Sequence, residues 1–248
     1  ILDSPRIIPL QVGKEMVICD KRHRYMDRCQ DDEVCVCEMS QANVEQISRI
    51  IEIAGSDPAG WRKTTLEERH KIMYEAANRL GEMRGDLIGC MCAITGKTVV
   101  EGDVEVSEGI DYARFYTTSM KLFADLPDVD ITPEGTVLVI SPWNFPCAIP
   151  IGGIVAALAG GNTVILKPAT VAAPVAWLFA QAFWDAGVPK EALQVIITDR
   201  DALKVLTSAP AIKHIILTGG TDTAQNITRS NPSTPLSAET GGKNAIIL

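Results

Sequence analysis

The strongest constraint on the fold is a regular alternation of apolar, strand-like runs with helix-like segments after Pro127. Continuous runs of Val, Ile and Leu are typical of strands that are buried on both faces. The predicted strands are TVLVIS, NTVILK, LQVIIT, KHIILT and NAIIL, and the predicted helices between them cover 149–158, 173–186, 201–208 and a stretch after Thr221. Strands that alternate with helices form a parallel sheet with right-handed crossovers. The sequence therefore predicts an α/β fold.

The first half of the chain is patterned differently. Its charged, irregular beginning contains short apolar pieces and predicts an arm of two or three strands. Four helices are expected next. The first follows Ser40, a possible N-cap, and the second starts at the T-x-x-E capping box of Thr65 and Glu68. The third and fourth are predicted over 81–95 and 98–123.

The predicted fourth helix carries two sets of side chains. One apolar stripe is expected to face the core: Val100, Val104, Ile110, Ala113 and Tyr116. Four acids lie in the first half of the helix: Glu101, Asp103, Glu105 and Glu108. We expect these acids to complement the helix dipole or to face solvent.

These patterns divide the chain into three segments. Residues 1–39 form the arm, residues 40–126 form a helical part, and residues 127–248 form a Rossmann-like parallel sheet with flanking helices. In such sheets, ligands bind beyond the carboxyl ends of the strands. This rule selects three places: 141–146, 167–170 and 218–221.

Composition narrows the function classes. The 248 residues carry a formal net charge of −8, which argues against nucleic acid or an anionic membrane as partner. No apolar run reaches the roughly 18 residues that a membrane-spanning helix needs. The seven cysteines are irregularly spaced and the three histidines do not cluster with them, so the sequence predicts no metal site. The cysteines are expected to be free, buried thiols, and the alternative is a redox role. Free thiols suit a cytoplasmic location. Because the chain starts with Ile1, we expect a fragment of a longer protein.

Two motifs end predicted strands with polar side chains. In ISPWNFP, two prolines hold Asn144 at a strand end, where its amide could donate to a developing oxyanion. The alternative is a structural turn. In NTVILKPAT, Lys167 ends a buried strand, where a charge is costly unless it binds a polar ligand. The alternative is a lysine that reaches solvent.

Two further motifs contain paired glycines. In ILTGGTDTA, Gly219 and Gly220 precede a predicted helix, whose N-terminal N–H groups could bind an anion. The alternative is a simple turn. In AETGGKN, Glu239 could act as a general base on a bound water or thiol. The alternative is a surface acid beside a turn.

The motifs SPWNFP, GNTVILKPA, AGVP and ETGGKN, in this order, resemble the signatures of the aldehyde dehydrogenase superfamily. The segments WRKTTLEERHKIMYEAANRL and ITGKT are similar to the helical part of that family, so the resemblance covers 40–248 and is expected to include the arm. SPWNFPCAIP followed by SAETGGKNAII looks most like the branch that oxidises glutamate semialdehyde. That branch includes the 1-pyrroline-5-carboxylate dehydrogenases.

The resemblance implies a chemistry in which a thiolate attacks an aldehyde and hydride passes to a nicotinamide. Asn144 would then stabilise the oxyanion, and Glu239 would activate water or the nucleophile. Lys167 would bind the adenine ribose. The resemblance also implies further cofactor contacts: Ser141, Pro142, Trp143, Pro168, Thr170, Gly219, Gly220 and Gly241.

Three departures from the family pattern affect these expectations. Gly220 and Ala224 stand where the phosphate loop usually has Ser and a later Gly, which affects cofactor affinity or orientation. Thr170 stands where many NAD-preferring members have Glu, so NADP is admissible, although NAD is expected first. The nucleophilic cysteine of the family lies further beyond the glutamate than this chain extends, because Leu248 is nine residues after Glu239. Cys147 is expected to pack at a helix start.

The resulting expectation is the coenzyme-binding part of an NAD(P)-dependent aldehyde dehydrogenase, inactive by itself. Its parent would convert a small-molecule aldehyde to a carboxylate and would be a homo-oligomer. Two alternatives remain: a reductive relative that uses acyl phosphates or acyl-CoA, and a non-catalytic dinucleotide-binding or assembly module. Glu239 and the complete PWNFP favour the oxidase.

Overall fold

The computed structural model describes residues 5–30 and 34–246. Its N-terminal arm contains five short strands: β1 (Arg6–Ile8), β2 (Leu10–Val12), β3 (Glu15–Val17), β4 (Arg22–Met26) and β5 (Cys35–Ser40). β5 pairs with β1 in parallel and with β4 antiparallel, and β2 pairs with β3. The expectation of two or three strands was too low, because three-residue strands are too short to show a recognisable alternation.

Four helices follow the arm: α1 (Val44–Ser56), α2 (Leu66–Glu82), α3 (Arg84–Thr95) and α4 (Val99–Ala124). The capping box that starts α2 is confirmed, with reciprocal hydrogen bonds between Thr65 and Glu68. The cap proposed for α1 is wrong. Asn43 accepts the Gln46 N–H at 2.8 Å, whereas the Ser40 hydroxyl accepts the Cys19 N–H at 3.1 Å.

The predicted core stripe of α4 is also partly wrong. Val100 and Val104 are 76% and 64% exposed. Ile110 and Ala113 are buried as predicted, and the other buried positions are Gly102, Glu105, Val106, Gly109 and Thr117. The helix packs through its glycines, because a Cβ at Gly109 would lie 3.0 Å from the Ile151 side chain. Close backbone approach at the glycines therefore helps to select the buried face, beside the branched side chains of Val106 and Ile110.

The second half of the chain alternates strands and helices. The elements are β6 (Thr136–Ser141), α5 (Ala148–Ala159), β7 (Thr163–Pro168), α6 (Ala173–Ala186), β8 (Leu193–Val195), α7 (Arg200–Thr207), β9 (Ile212–Gly219), α8 (Thr221–Ser230) and β10 (Leu236–Thr240). The five strands form one parallel sheet in the order β10-β9-β6-β7-β8. The predicted α/β fold class is confirmed.

The last strand differs from the prediction. NAIIL was expected to form it, but residues 244–246 have no strand structure, and 247–248 lie outside the described residues. β10 instead covers LSAET and pairs with β9, with Glu239 opposite Thr218. An edge strand that keeps its side chains exposed carries no apolar pattern, so the sequence signal pointed to the later apolar run.

Helices cover both faces of the central sheet. On one face, helices α2, α3, α4, α5 and α6 form an apolar cluster with alternate strand residues: Val137, Val139, Val164, Leu166 and Val195. A second cluster joins α1, α7 and α8 with the intervening ones: Leu138, Ile140, Ile165, Ile215 and Leu217. Because the strands are buried on both faces, the carboxyl edge of the sheet is left for function. Within the described ranges, no helix has the length and apolar character needed to cross a bilayer.

Candidate functional site

The carboxyl ends of β6, β7, β9 and β10 meet around a cleft of about 660 Å³. Nine of the eleven predicted site residues line this cleft: Ser141, Pro142, Trp143, Asn144, Lys167, Gly219, Gly220, Glu239 and Gly241. The cleft is also lined by residues that no sequence motif indicated, among them Leu203 and Thr223. The three strand ends selected by the topological rule thus share one edge of the sheet.

The other two predicted residues do not line the cleft. Pro168 is buried in β7, paired with Ser141. Thr170 is half-buried at the start of a short 3-10 turn, and its carbonyl accepts the Tyr25 hydroxyl at 2.7 Å. This bond ties the N-terminal arm to the segment that follows Lys167.

Asn144 lies in the loop after β6. Its Oδ1 accepts the Phe145 N–H at 3.2 Å, which leaves the two Nδ2 hydrogens for another acceptor. Its side chain is exposed, and Pro142 and Pro146 restrict the backbone on either side. The loop can therefore present a side-chain donor with limited backbone freedom.

Lys167 and Ser141 present two polar groups beside the loop. Burial lowers the pKa of the half-buried Lys167 ammonium, and among the described residues no charge or hydrogen bond opposes this shift. Ser141 is 4% exposed, and its Oγ has no hydrogen-bond partner among the described residues. Both residues line the same cleft, and buried polar groups are normally paired, so the desolvated ammonium and the unpaired hydroxyl indicate a place for a polar ligand at this sheet edge.

The glycine pair connects β9 to α8. Gly220 is the N-cap residue of α8 and provides no side-chain hydrogen bond to the first N–H groups. A Cβ added at Gly220 would meet no atom closer than Thr223 Oγ1, at 3.9 Å. The helix start is therefore open, and its N–H groups and dipole favour an anion.

Glu239 reaches the cleft because β10 pairs with β9 in register. Its side chain is exposed, two residues before the irregular segment that begins at Gly241. A second hollow, of about 420 Å³, lies between the start of α4 and the loop that follows β6. Trp143 and Asn144 line this hollow as well as the cleft. Asn144 thus lies between two hollows.

Glu105 lies in a buried position that its sequence context did not predict. It was expected to complement the dipole of α4 or to face solvent, but it is 1% exposed. Its Oε1 accepts the N–H groups of Cys147 and Ala148 at 2.7 and 3.1 Å, and its Oε2 accepts from Lys97. The sequence feature that could have indicated its burial is its spacing from Gly102 and Gly109, because residues at this spacing share one face of a helix and here that face is closely packed.

The cysteines occupy positions away from the cleft. Cys147 is 0% exposed at the start of α5, as expected, and burial raises the pKa of its thiol well above the usual range. Burial also raises the pKa of Cys37 and of Cys90 to about 12. No cysteine lines either hollow within the described part of the chain. High pKa values disfavour the thiolate that a nucleophile needs.

The parallel sheet, its two helical layers and the cleft at its carboxyl edge define a Rossmann-like α/β protein. A model of the Aldehyde dehydrogenase family matches residues 19–248. The chain belongs to the aldehyde dehydrogenase family. This family was the one expected from the motifs.

Individual relatives support the same assignment. The chain is 31% identical, over 259 residues, to a 1-pyrroline-5-carboxylate dehydrogenase of Geobacillus sp. (strain WCH70), covering 97% of this chain and 50% of that protein. It is 34% identical to the bifunctional protein PutA of Klebsiella aerogenes, covering 86% and 16%. It superposes with a TM-score of 0.89 on the 1-pyrroline-5-carboxylate dehydrogenase from Thermus with bound NAD, with 27% identity over 96% of this chain and 50% of that one. The chain therefore spans half the length, or less, of these relatives.

Proposed function

We propose that the cleft binds the dinucleotide NAD and that the chain is the coenzyme-binding part of an aldehyde-oxidising enzyme. The observation that carries the proposal is that Lys167, Ser141 and the open N-terminus of α8 line one cleft at the carboxyl edge of the sheet. These donors fit the hydroxyl and phosphate groups of a dinucleotide. A relative with 27% identity was solved with bound NAD.

In this proposal each residue has a distinct binding role. Lys167 donates to ribose hydroxyls, and Ser141 lines the same cleft. The N–H groups after Gly219 and Gly220 bind the pyrophosphate. Pro142, Trp143 and Gly241 line the walls of the cleft, whereas Pro168 and Thr170 belong to the segment that positions Lys167. No carboxylate stands at position 170, so NADP is admitted, and NAD is proposed first because of the relative solved with NAD.

Asn144 and Glu239 are proposed to act on the substrate. A thiolate adds to the aldehyde carbon, and the Asn144 amide donates to the resulting oxyanion. NAD, when bound, accepts the hydride that leaves this carbon and so oxidises the adduct to a thioester. The Glu239 carboxylate then removes a proton from the water that attacks the thioester, which releases a carboxylate product and the thiol.

The thiol is proposed to come from outside these 248 residues. Support for this comes from the cysteines of the described chain, which line neither hollow and in three cases have a raised pKa. The substrate is proposed to be glutamate semialdehyde, since several relatives are 1-pyrroline-5-carboxylate dehydrogenases. We further propose that the segments 1–39, 40–126 and 127–248 act as one coenzyme-binding unit, in a cytoplasmic homo-oligomer of the whole protein.

Calorimetric titration of the chain with NAD and NADP tests the proposal. We expect saturable binding of NAD with one site per chain and weaker binding of NADP. A chain that releases no heat with either dinucleotide, and that also gives no shift in its melting temperature, would contradict the proposal. That result would favour an assembly module.

A further inference from the structure

A buried ion pair lies directly beneath the loop that carries Asn144. The Glu105 side chain is fully buried, and the Lys97 side chain is 11% exposed. Lys97 precedes α4, and Glu105 lies two turns into it. Neither residue contacts the NAD cleft, because both lie on the side of the loop that faces the second hollow.

Glu105 holds the far end of the loop. Its Oε1 accepts the Cys147 and Ala148 N–H groups, at 2.7 and 3.1 Å, where α5 begins. No residue within α5 caps these groups. A carboxylate at a helix N-terminus satisfies orphan N–H groups and complements the helix dipole. Glu105 therefore acts as a cap supplied by another helix.

Lys97 holds the near end of the loop. Its Nζ donates to the Asn144 carbonyl at 2.9 Å and to Glu105 Oε2, and it lies 4.0 Å from the centre of the Phe145 ring. The backbone on both sides of Pro146 is therefore attached to one pair of charges. The Phe145 N–H in turn donates to Asn144 Oδ1, so the same contacts reach the Asn144 side chain.

The energetics favour a positioning role over a purely stabilising one. Burying two charges has a large desolvation cost, and a well-packed apolar pair of similar volume is often as stable or more stable. An apolar pair could fill this space, but it could neither accept two N–H groups nor donate to a carbonyl. What the charges add is a defined backbone position between Asn144 and Ala148.

We propose that Lys97 and Glu105 are positioning residues that fix Asn144 in the orientation required for its donor role. The inference rests on the proposed function of Asn144. Neither residue touches the reacting atoms in this proposal, and each acts through the loop.

NMR relaxation of the ¹⁵N-labelled chain tests the inference through the backbone N–H and side-chain Nδ2 groups of Asn144. In the unmodified chain we expect a rigid loop, with an order parameter of about 0.85 at Asn144. Lys97→Met should lower this value below about 0.6 and leave Cys147 and Ala148 rigid, since Glu105 still holds them. Glu105→Gln should loosen both ends, and Lys97→Arg should restore most of the order.

A matched control separates positioning from general loss of stability. Lys121→Met removes one charge from the exposed last turn of the same helix and should change no order parameter of the loop. If Lys97→Met does not fold, the double variant Lys97→Met, Glu105→Leu replaces the pair with apolar groups and should fold with a mobile loop.

Three results would overturn the inference: a loop as rigid in Lys97→Met as in the unmodified chain, a uniform loss of order along the chain, or no restoration by arginine. Titration of the same samples with NAD keeps this test separate from the proposed function. A rigid loop in a Lys97→Met chain that binds NAD refutes the positioning role alone. Absence of NAD binding in the unmodified chain refutes the proposed function, while the relaxation data still test the pair.

Discussion

Replacement of Lys167 by methionine removes the ammonium from the cleft while keeping a long apolar side chain of similar volume. The ammonium lies at the end of β7, and among the described residues no protein group offsets its desolvation. Any hydrogen bond that it makes in the complex is therefore made to ligand. We expect NAD affinity to fall while the fold is retained.

The size of the effect follows from one charged donor. A hydrogen bond to a charged group contributes about 1.5–3 kcal/mol. Since about 1.4 kcal/mol corresponds to a tenfold change in Kd, Lys167→Met should weaken NAD binding by about 10- to 140-fold. The same change should raise the melting temperature of the ligand-free chain, because it removes a half-buried charge that has no partner among the residues the structure describes.

Calorimetry and thermal unfolding of the two chains measure both effects. Lys71→Met serves as the control, since it changes the net charge equally at an exposed position of α2. A Kd for the Lys167 variant within twofold of the unmodified chain would refute the reasoning. Equal weakening in the Lys71 variant would show that the effect comes from net charge instead of a contact.

The remaining predictions concern activity, pH and the core. The chain mixed with an aldehyde and NAD should show no sustained increase in the absorbance of reduced nicotinamide. Steady turnover would contradict the proposal that the nucleophilic thiol is supplied from outside the chain. Because the folded-state pKa of Lys167 is lowered, the unfolded chain binds more protons between that pKa and about 10.4, so this lysine makes the free energy of unfolding rise with pH there. Urea unfolding of the unmodified chain and of Lys167→Met should be compared across this pH window. The rise in the free energy of unfolding should be absent from the variant, and parallel pH profiles of the two chains would contradict the prediction. Phe179 is 0% exposed in the core, so Phe179→Ala should lower the free energy of unfolding in urea by about 3–5 kcal/mol. Phe115 is 62% exposed, so Phe115→Ala should lower it by less than about 0.5 kcal/mol. Similar losses in the two variants would contradict the placement of Phe179 in the core.

The sheet could be predicted from the sequence because its strands are buried on both faces. Runs such as TVLVIS and NTVILK must be apolar throughout when helices cover both sides. The same physics explains the misplaced final strand. β10 is an edge strand with exposed side chains, so hydrogen bonding to β9 rather than hydrophobic burial selects its residues, and no apolar pattern records that choice.

The cleft was predictable where residues follow strand ends. Asn144, Lys167 and Gly219 each come after a buried run, and the rule that ligands bind at carboxyl ends of parallel strands brings them together. Glu105 and Lys97 follow no such rule. An acid on a helix usually faces solvent, and only the tertiary packing of α4 on α5 places this one beneath the loop.

The most direct test of the central claim is a titration of the ¹⁵N-labelled chain with NAD, followed residue by residue in NMR spectra. The account predicts saturable shifts at the carboxyl edge of the sheet, in 141–144, at Lys167 and in 218–224, with residues on α2 and α6 unaffected. Saturating NAD that leaves these positions unchanged, or that shifts a different surface, would contradict the assignment of the cleft as a dinucleotide site.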